Sequence, residues 1–61
     1  MIKTMNDLLA ELTKLEYKPG DEIYVRFPAY YNRDYYDECY IDSAERDEDG
    51  NIRLTIERKA E

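Results

Sequence analysis

Apolar residues recur at three- and four-residue steps near the start of the chain: Met5, Leu8, Leu9, Leu12 and Leu15. At 3.6 residues per turn these positions form one stripe, so Thr4 to Glu16 reads as an amphipathic helix. Thr4 is placed to cap it. Asp7, three residues on, makes a short-armed capping box and sits where the helix dipole favours an anion. Pro19 cannot continue the helix, and Pro19-Gly20 suits the centre of a type II turn. From Glu22 the period changes to two. Ile23, Val25 and Phe27 alternate with Tyr24 and Arg26, which predicts a half-buried strand, and Pro28 ends it or places it at an edge. Ala29 to Asp34 is a tyrosine-rich connection. Tyr36 to Ala44 alternates again, with Cys39 and Ile41 on one face and Glu38, Tyr40 and Asp42 on the other. Asn51 to Arg58 is the clearest strand, with Ile52, Leu54 and Ile56 opposed to Arg53, Thr55 and Glu57.

Asp49-Gly50, between the last two strands, is a hairpin signal. A loop of those two residues alone would pair Asp47 and Glu45 with Ile52 and Leu54 on the apolar face. A slip of one residue turns every side chain over, so the burial pattern takes priority. Pairing Ile41 with Leu54 keeps Cys39 with Ile56 and sets Asp42 opposite Arg53 on the wet face. That register requires a longer or bulged turn around residues 45–50. The expected fold class is α+β: one N-terminal helix packed on a three-stranded antiparallel sheet (α-β-β-β), a single domain over residues 1–61. Lys59-Ala60-Glu61 reads as a frayed tail.

Size and charge narrow the picture. Sixty-one residues lie near the lower limit for a single core, with little chain left to wall a deep cleft. The net charge is −6, unevenly placed. Residues 34–49 hold eight acids and one base, Arg46, and so carry −7 by themselves, while residues 1–33 balance. Such a chain is repelled by nucleic acid and by anionic membrane, so neither is an expected direct partner. No stretch approaches the ~20 apolar residues of a membrane span. The first residues lack a signal-peptide pattern, since Asp7 and Glu11 interrupt it. Cys39 is the one cysteine, which excludes an internal disulfide and favours a cytoplasmic home.

Candidate chemistry is sparse. With Gly50 at position six of a calcium loop, Glu45, Asp47 and Asp49 fall at positions one, three and five. Position twelve, which needs a bidentate glutamate, is Ile56, and the flanks read as strands. No metal or cofactor is therefore expected. The chain has no histidine, so Ser43 and Cys39 lack a general base, and Cys39 falls on the apolar face of its strand. The acids fall on turns and wet faces, where the pKa shifts needed for paired-carboxylate catalysis are small. Gly20 and Gly50 are too few for a phosphate loop. No catalytic residue is assigned, and enzyme activity is the last of the readings.

The tyrosines change the meaning of the charge. Five of the seven, Tyr30, Tyr31, Tyr35, Tyr36 and Tyr40, fall in eleven residues. In extended chain the adjacent pairs Tyr30/Tyr31 and Tyr35/Tyr36 point to opposite faces, so several rings must meet solvent. Exposed tyrosine beside acid is the composition of a contact surface. The candidate partner-binding residues are Tyr30, Tyr31, Asp34, Tyr35, Tyr36, Asp37, Glu38, Tyr40, Asp42, Glu45, Asp47, Glu48 and Asp49. Outward carboxylates on a strand recur every ~6.6 Å, a row that a groove built for phosphates can read.

The segment from Tyr30 to Tyr40, with the acidic tip Glu45-Arg46-Asp47-Glu48-Asp49, resembles small acidic proteins of phages and mobile elements that inhibit host defence nucleases. These are the anti-CRISPR and anti-restriction DNA mimics. The resemblance implies a non-enzymatic inhibitor that occupies the basic groove of a nucleic-acid-binding complex. The alternative is a small acidic interaction or regulatory module without mimicry, or a homodimer joined along the edge of its short sheet.

Overall fold

The computed structural model describes residues 1–59, in the order α1 (Met5–Lys14), β1 (Ile23–Arg26), β2 (Cys39–Arg46) and β3 (Ile52–Arg58). Ala60 and Glu61, part of the expected tail, lie outside the described residues. Thr4 caps α1 as predicted. Its hydroxyl accepts from the Asp7 amide at 3.1 Å, and the Asp7 carboxylate accepts from the Thr4 amide at 3.2 Å. The helix stops earlier than its apolar stripe. Glu16 turns left-handed at φ 54°, and the Tyr17 and Glu16 amides close back on the carbonyls of Leu12 and Thr13. This is a Schellman ending with glutamate in place of the usual glycine. A turn over Lys18–Asp21 follows, closed by the Asp21 amide on the Lys18 carbonyl. Gly20 does not take a positive φ, so the expected type II turn is not formed.

The sheet is mixed, and the expected all-antiparallel sheet is corrected. Its order is β1-β3-β2, with β1 parallel and β2 antiparallel to β3. Alternation reports which face a side chain takes but not which strands are neighbours. The segment from Phe27 to Glu38 is too long for a hairpin, so β1 and β2 stand apart and β3, the strand with the strongest apolar alternation, fills the gap. The crossing segment is fixed to the end of β3, where the Arg58 side chain donates to the Tyr35 carbonyl and the Lys59 amide to that of Glu38.

The register of β2 on β3 also departs from expectation. Ile41 lies opposite Ile56, Ala44 opposite Leu54, and Glu45, instead of Asp42, opposite Arg53. Asp42 is the extra residue of a β-bulge. The bulge shifts the phase of the strand, so Cys39, Ile41, Ala44 and Arg46 share the inner face. The hairpin turn is longer than Asp49-Gly50, as expected. The Asp47 carbonyl accepts from the Gly50 amide, its carboxylate accepts from the amides of Asp49 and Asn51 at 2.9 Å each, and Gly50 adopts φ 85°.

The register places Arg46 opposite Ile52. Its guanidinium resolves the conflict by reaching the helix end. It donates to the carbonyls of Leu15 (3.0 Å), Glu16 (3.2 Å) and Gly50 (2.6 Å), and to the Asp21 carboxylate (3.0 Å). One planar donor thus closes the C-terminus of α1, the turn before β1 and the hairpin. The core itself is thin: Ile2, Ile52 and Leu54 are the buried apolar residues among those described. Leu8 and Leu12 of α1 and Leu15 at its C-cap are half-buried. Ile2 donates to the Ile41 carbonyl at 2.8 Å and bridges the outer edge of β2. The helix packs over β2 and leaves β1 uncovered. Ile23 and Val25, expected half-buried, are 55% and 44% exposed.

Candidate interaction surface

The segment that crosses from β1 to β2 gathers the aromatic residues at one end of the sheet. Successive turns fold it: the Tyr31 amide donates to the Pro28 carbonyl, the Tyr35 and Tyr36 amides donate to that of Asn32, and the Asn32 side chain accepts from the Asp34 amide. These turns let adjacent tyrosines converge where an extended chain would separate them. Tyr36, half-buried, is the hub. Its ring lies 5.7 Å from Tyr31, 6.3 Å from Tyr30 and 5.0 Å from Tyr35, and Tyr31 packs at 4.5 Å on Phe27. The Arg58 guanidinium lies 4.2 Å from the centre of the Tyr35 ring. The Tyr30 hydroxyl beside it pushes the Tyr36 phenol up to about 12.

The outer rings of this cluster face solvent, and Tyr30 is 77% exposed. Asp34, Asp37 and Glu38 are exposed on the same segment. Glu38 has a distant cation, Lys59, at 4.0 Å. Beside the cluster, Phe27, Pro28, Ala29 and Tyr30 with Thr55 and Ile56 line a shallow groove of about 350 Å³, with Arg26 at its rim. The groove is open and mainly apolar. Phe27 and Arg58 were not assigned to the surface from the sequence. Phe27-Pro28, leading directly into a tyrosine pair, was the signal for the first; Arg58 gave none.

The remaining candidates are placed elsewhere. Tyr40 is half-buried on β2, with the ammonium groups of Lys3 and Lys59 5.4 and 5.7 Å from its ring centre. Asp42 stands at the bulge, near the first turns of α1. Glu45 is engaged by Arg53 through two bonds of 3.0 and 2.8 Å. Asp47 accepts from the Tyr24 hydroxyl at 2.6 Å. That hydroxyl, with the Asn51 and Asp49 amides, holds the Asp47 carboxyl below the usual carboxylate range. Glu48 and Asp49 are exposed at the hairpin tip. At about 3.3 Å per residue the eight residues of β2 separate this tip from the tyrosine end by ~25 Å. The sixteen-residue acidic run is therefore divided between two ends, and Arg53 neutralises part of the hairpin end.

Among the described residues no group of three or more Asp, Glu, Cys or His side chains is arranged to hold a metal ion. Glu45 and Asp47, the first two positions of the calcium-like spacing, are committed to Arg53 and Tyr24. The half-buried Cys39 thiol donates to the Tyr36 carbonyl at 3.2 Å. No helix among the described residues is long and apolar enough to cross a membrane. No family model, no curated protein and no solved structure matches the chain.

Proposed function

We propose that the protein is a non-enzymatic binding module that docks its tyrosine-rich acidic end onto a cationic protein surface. The observation that carries this is the contact cluster of Tyr30, Tyr31, Tyr35 and Tyr36, exposed on its outer side and set beside Asp34, Asp37 and Glu38. Rings already packed on one another lose little freedom on binding and present a large contact area with hydroxyl tips. The carboxylates supply steering and specificity.

The partner that this chemistry fits is a basic groove built for nucleic acid, where rings meet stacking positions and carboxylates meet phosphate positions. Occupying such a groove would make the protein an inhibitor. The cluster, rather than the full run of residues 34–49, is the surface proposed for the contact.

The test is retention of a nucleic-acid-binding complex on the immobilised protein. Binding is expected to weaken steeply with salt and to be displaced by an oligonucleotide. Asp34→Lys with Asp37→Lys should abolish it, as should Tyr30→Ala with Tyr35→Ala, both with an unchanged circular dichroism spectrum. Retention that survives high salt and ignores the oligonucleotide would exclude mimicry. Retention unaffected by either double substitution would exclude this surface.

A further inference from the structure

We propose that the free edge of β1 pairs with β1 of a second copy, antiparallel and two-fold about Tyr24, joining two three-stranded sheets into one of six strands. Strand order leaves β1 at an edge, with β3 on its inner side. The Glu22 carbonyl accepts from the Ile52 amide, and the register Ile23↔Ile52, Tyr24↔Arg53 then turns the backbone groups of Glu22, Tyr24 and Arg26 toward β3. Those of Ile23 and Val25 point outward, and no hydrogen bond among the described residues uses them. Such an edge is a template for another strand unless it is shielded. β1 is short and carries one charge, Arg26, but it has no bulge and its two aliphatic side chains are exposed.

The strand's own sequence selects the occupant. In Glu22-Ile23-Tyr24-Val25-Arg26 the charges at equal distances from Tyr24 have opposite signs. Antiparallel pairing centred on Tyr24 sets Glu22 against Arg26 of the second copy, Ile23 against its Val25, and Tyr24 against its own counterpart. Parallel pairing in register would set like charges side by side, so direction is decided as well. The outward groups of Ile23 and Val25 fall at hydrogen-bonded positions, where each pair exchanges two N–H···O bonds. Glu22, Tyr24 and Arg26 fall at the intervening positions, where opposed side chains approach most closely. Neither Glu22 nor Arg26 has an ion-pair partner within the chain among the described residues. A two-fold axis repeats the Glu22–Arg26 and Ile23–Val25 matches on either side of Tyr24.

Packing favours the same occupant. Asp7, Ala10 and Glu11 line a depression with Asp42 and Ser43 at the outer edge of β2. The exposed Met5 and Leu9 are on the opposite flank of α1. Joining two copies sets the uncovered faces of their β1 strands side by side, with Ile23 and Val25 of each copy along one apolar strip. A core of three buried residues gains from such an extension.

Sedimentation of the full chain, from micromolar to millimolar concentration, tests the pairing. A reversible dimer is expected. Arg26→Glu and Glu22→Arg should each weaken it roughly tenfold or more, because two attractive contacts become two repulsive ones. The double exchange Glu22→Arg with Arg26→Glu should restore it. All three changes are at exposed positions, and circular dichroism checks that each variant is folded. A chain that stays monomeric throughout, a dimer indifferent to the single substitutions, or a double exchange that fails to restore dimerisation would each overturn the proposal. So would a dimer lost on changing the tyrosine end instead of β1.

Discussion

Glu16 occupies a backbone position that suits glycine, at φ 54°. A side chain in the left-handed region costs about 1–2 kcal/mol, because Cβ crowds the following carbonyl. The chain tolerates it because the Arg46 guanidinium holds the carbonyls of Leu15 and Glu16 from outside the helix. From the sequence, Arg46 is the lone base in an acidic run, with no role assigned. In the fold it is a helix cap supplied by a distant strand. Glu16→Gly removes the crowding but also loosens the unfolded chain, which returns part of the gain. The expected net stabilisation is about 0.5–1 kcal/mol, a rise of ~4 °C in Tm for a domain of this size. A thermal melt followed by circular dichroism measures it. A lower Tm would show that the Glu16 side chain itself holds the turn.

At the scale of elements, local signals survived and long-range ones did not. The capping residue Thr4, the apolar stripe and the three runs of alternation correspond to α1, β1, β2 and β3, because caps and periodicity act over a few residues. Strand direction was illegible, since Ile23, Val25, Ile52 and Leu54 alternate identically whether their strands run parallel or antiparallel. The tyrosine cluster was half legible: the rings could be counted, but not the turns at Asn32 that bring Tyr30 and Tyr36 together. Register failed along the whole of β2: Ile41 meets Ile56 instead of Leu54 and Glu45 meets Arg53 instead of Asp42, which is the bulge where the alternation changes phase. Deleting Asp42 should therefore leave the pairings Ile41↔Ile56 and Ser43↔Thr55 intact and regularise the ladder. The expected variant is folded, with a Tm within a few degrees of the parent and the same amide-exchange protection on β2 and β3. An unfolded or re-registered variant would show that the bulge is required by the Ile2–Ile41 bridge beside it.

The whole molecule is a thin slab, 34 × 25 × 13 Å between its outer Cα positions, with a small core, and polar ties help to cap and join its elements. Three of them are carboxylates. Asp7 is held by the amides of Lys3 and Thr4, Asp21 by the Lys18 amide and Arg46, and Asp47 by the Tyr24 hydroxyl and two hairpin amides. Each has its folded pKa lowered below 3.8 by those donors. Folding thus favours the ionised form, and the contribution is present above that value and is lost as pH falls through the folded pKa values. General repulsion works the other way. The chain carries −6, and protonating exposed acids relieves it as pH first drops, though salt near physiological strength screens most of that term. Stability is therefore expected to be flat, or to rise slightly, from pH 7 to about 5, and to fall below the ordinary carboxylate range as the three ties are protonated. Thermal melts across that range in ~0.15 M salt give the profile. The variant Asp7→Asn, Asp21→Asn, Asp47→Asn should melt lower at pH 7 and show a shallower acid limb. An acid limb as steep as the parent's would mean that other carboxylates hold the slab together.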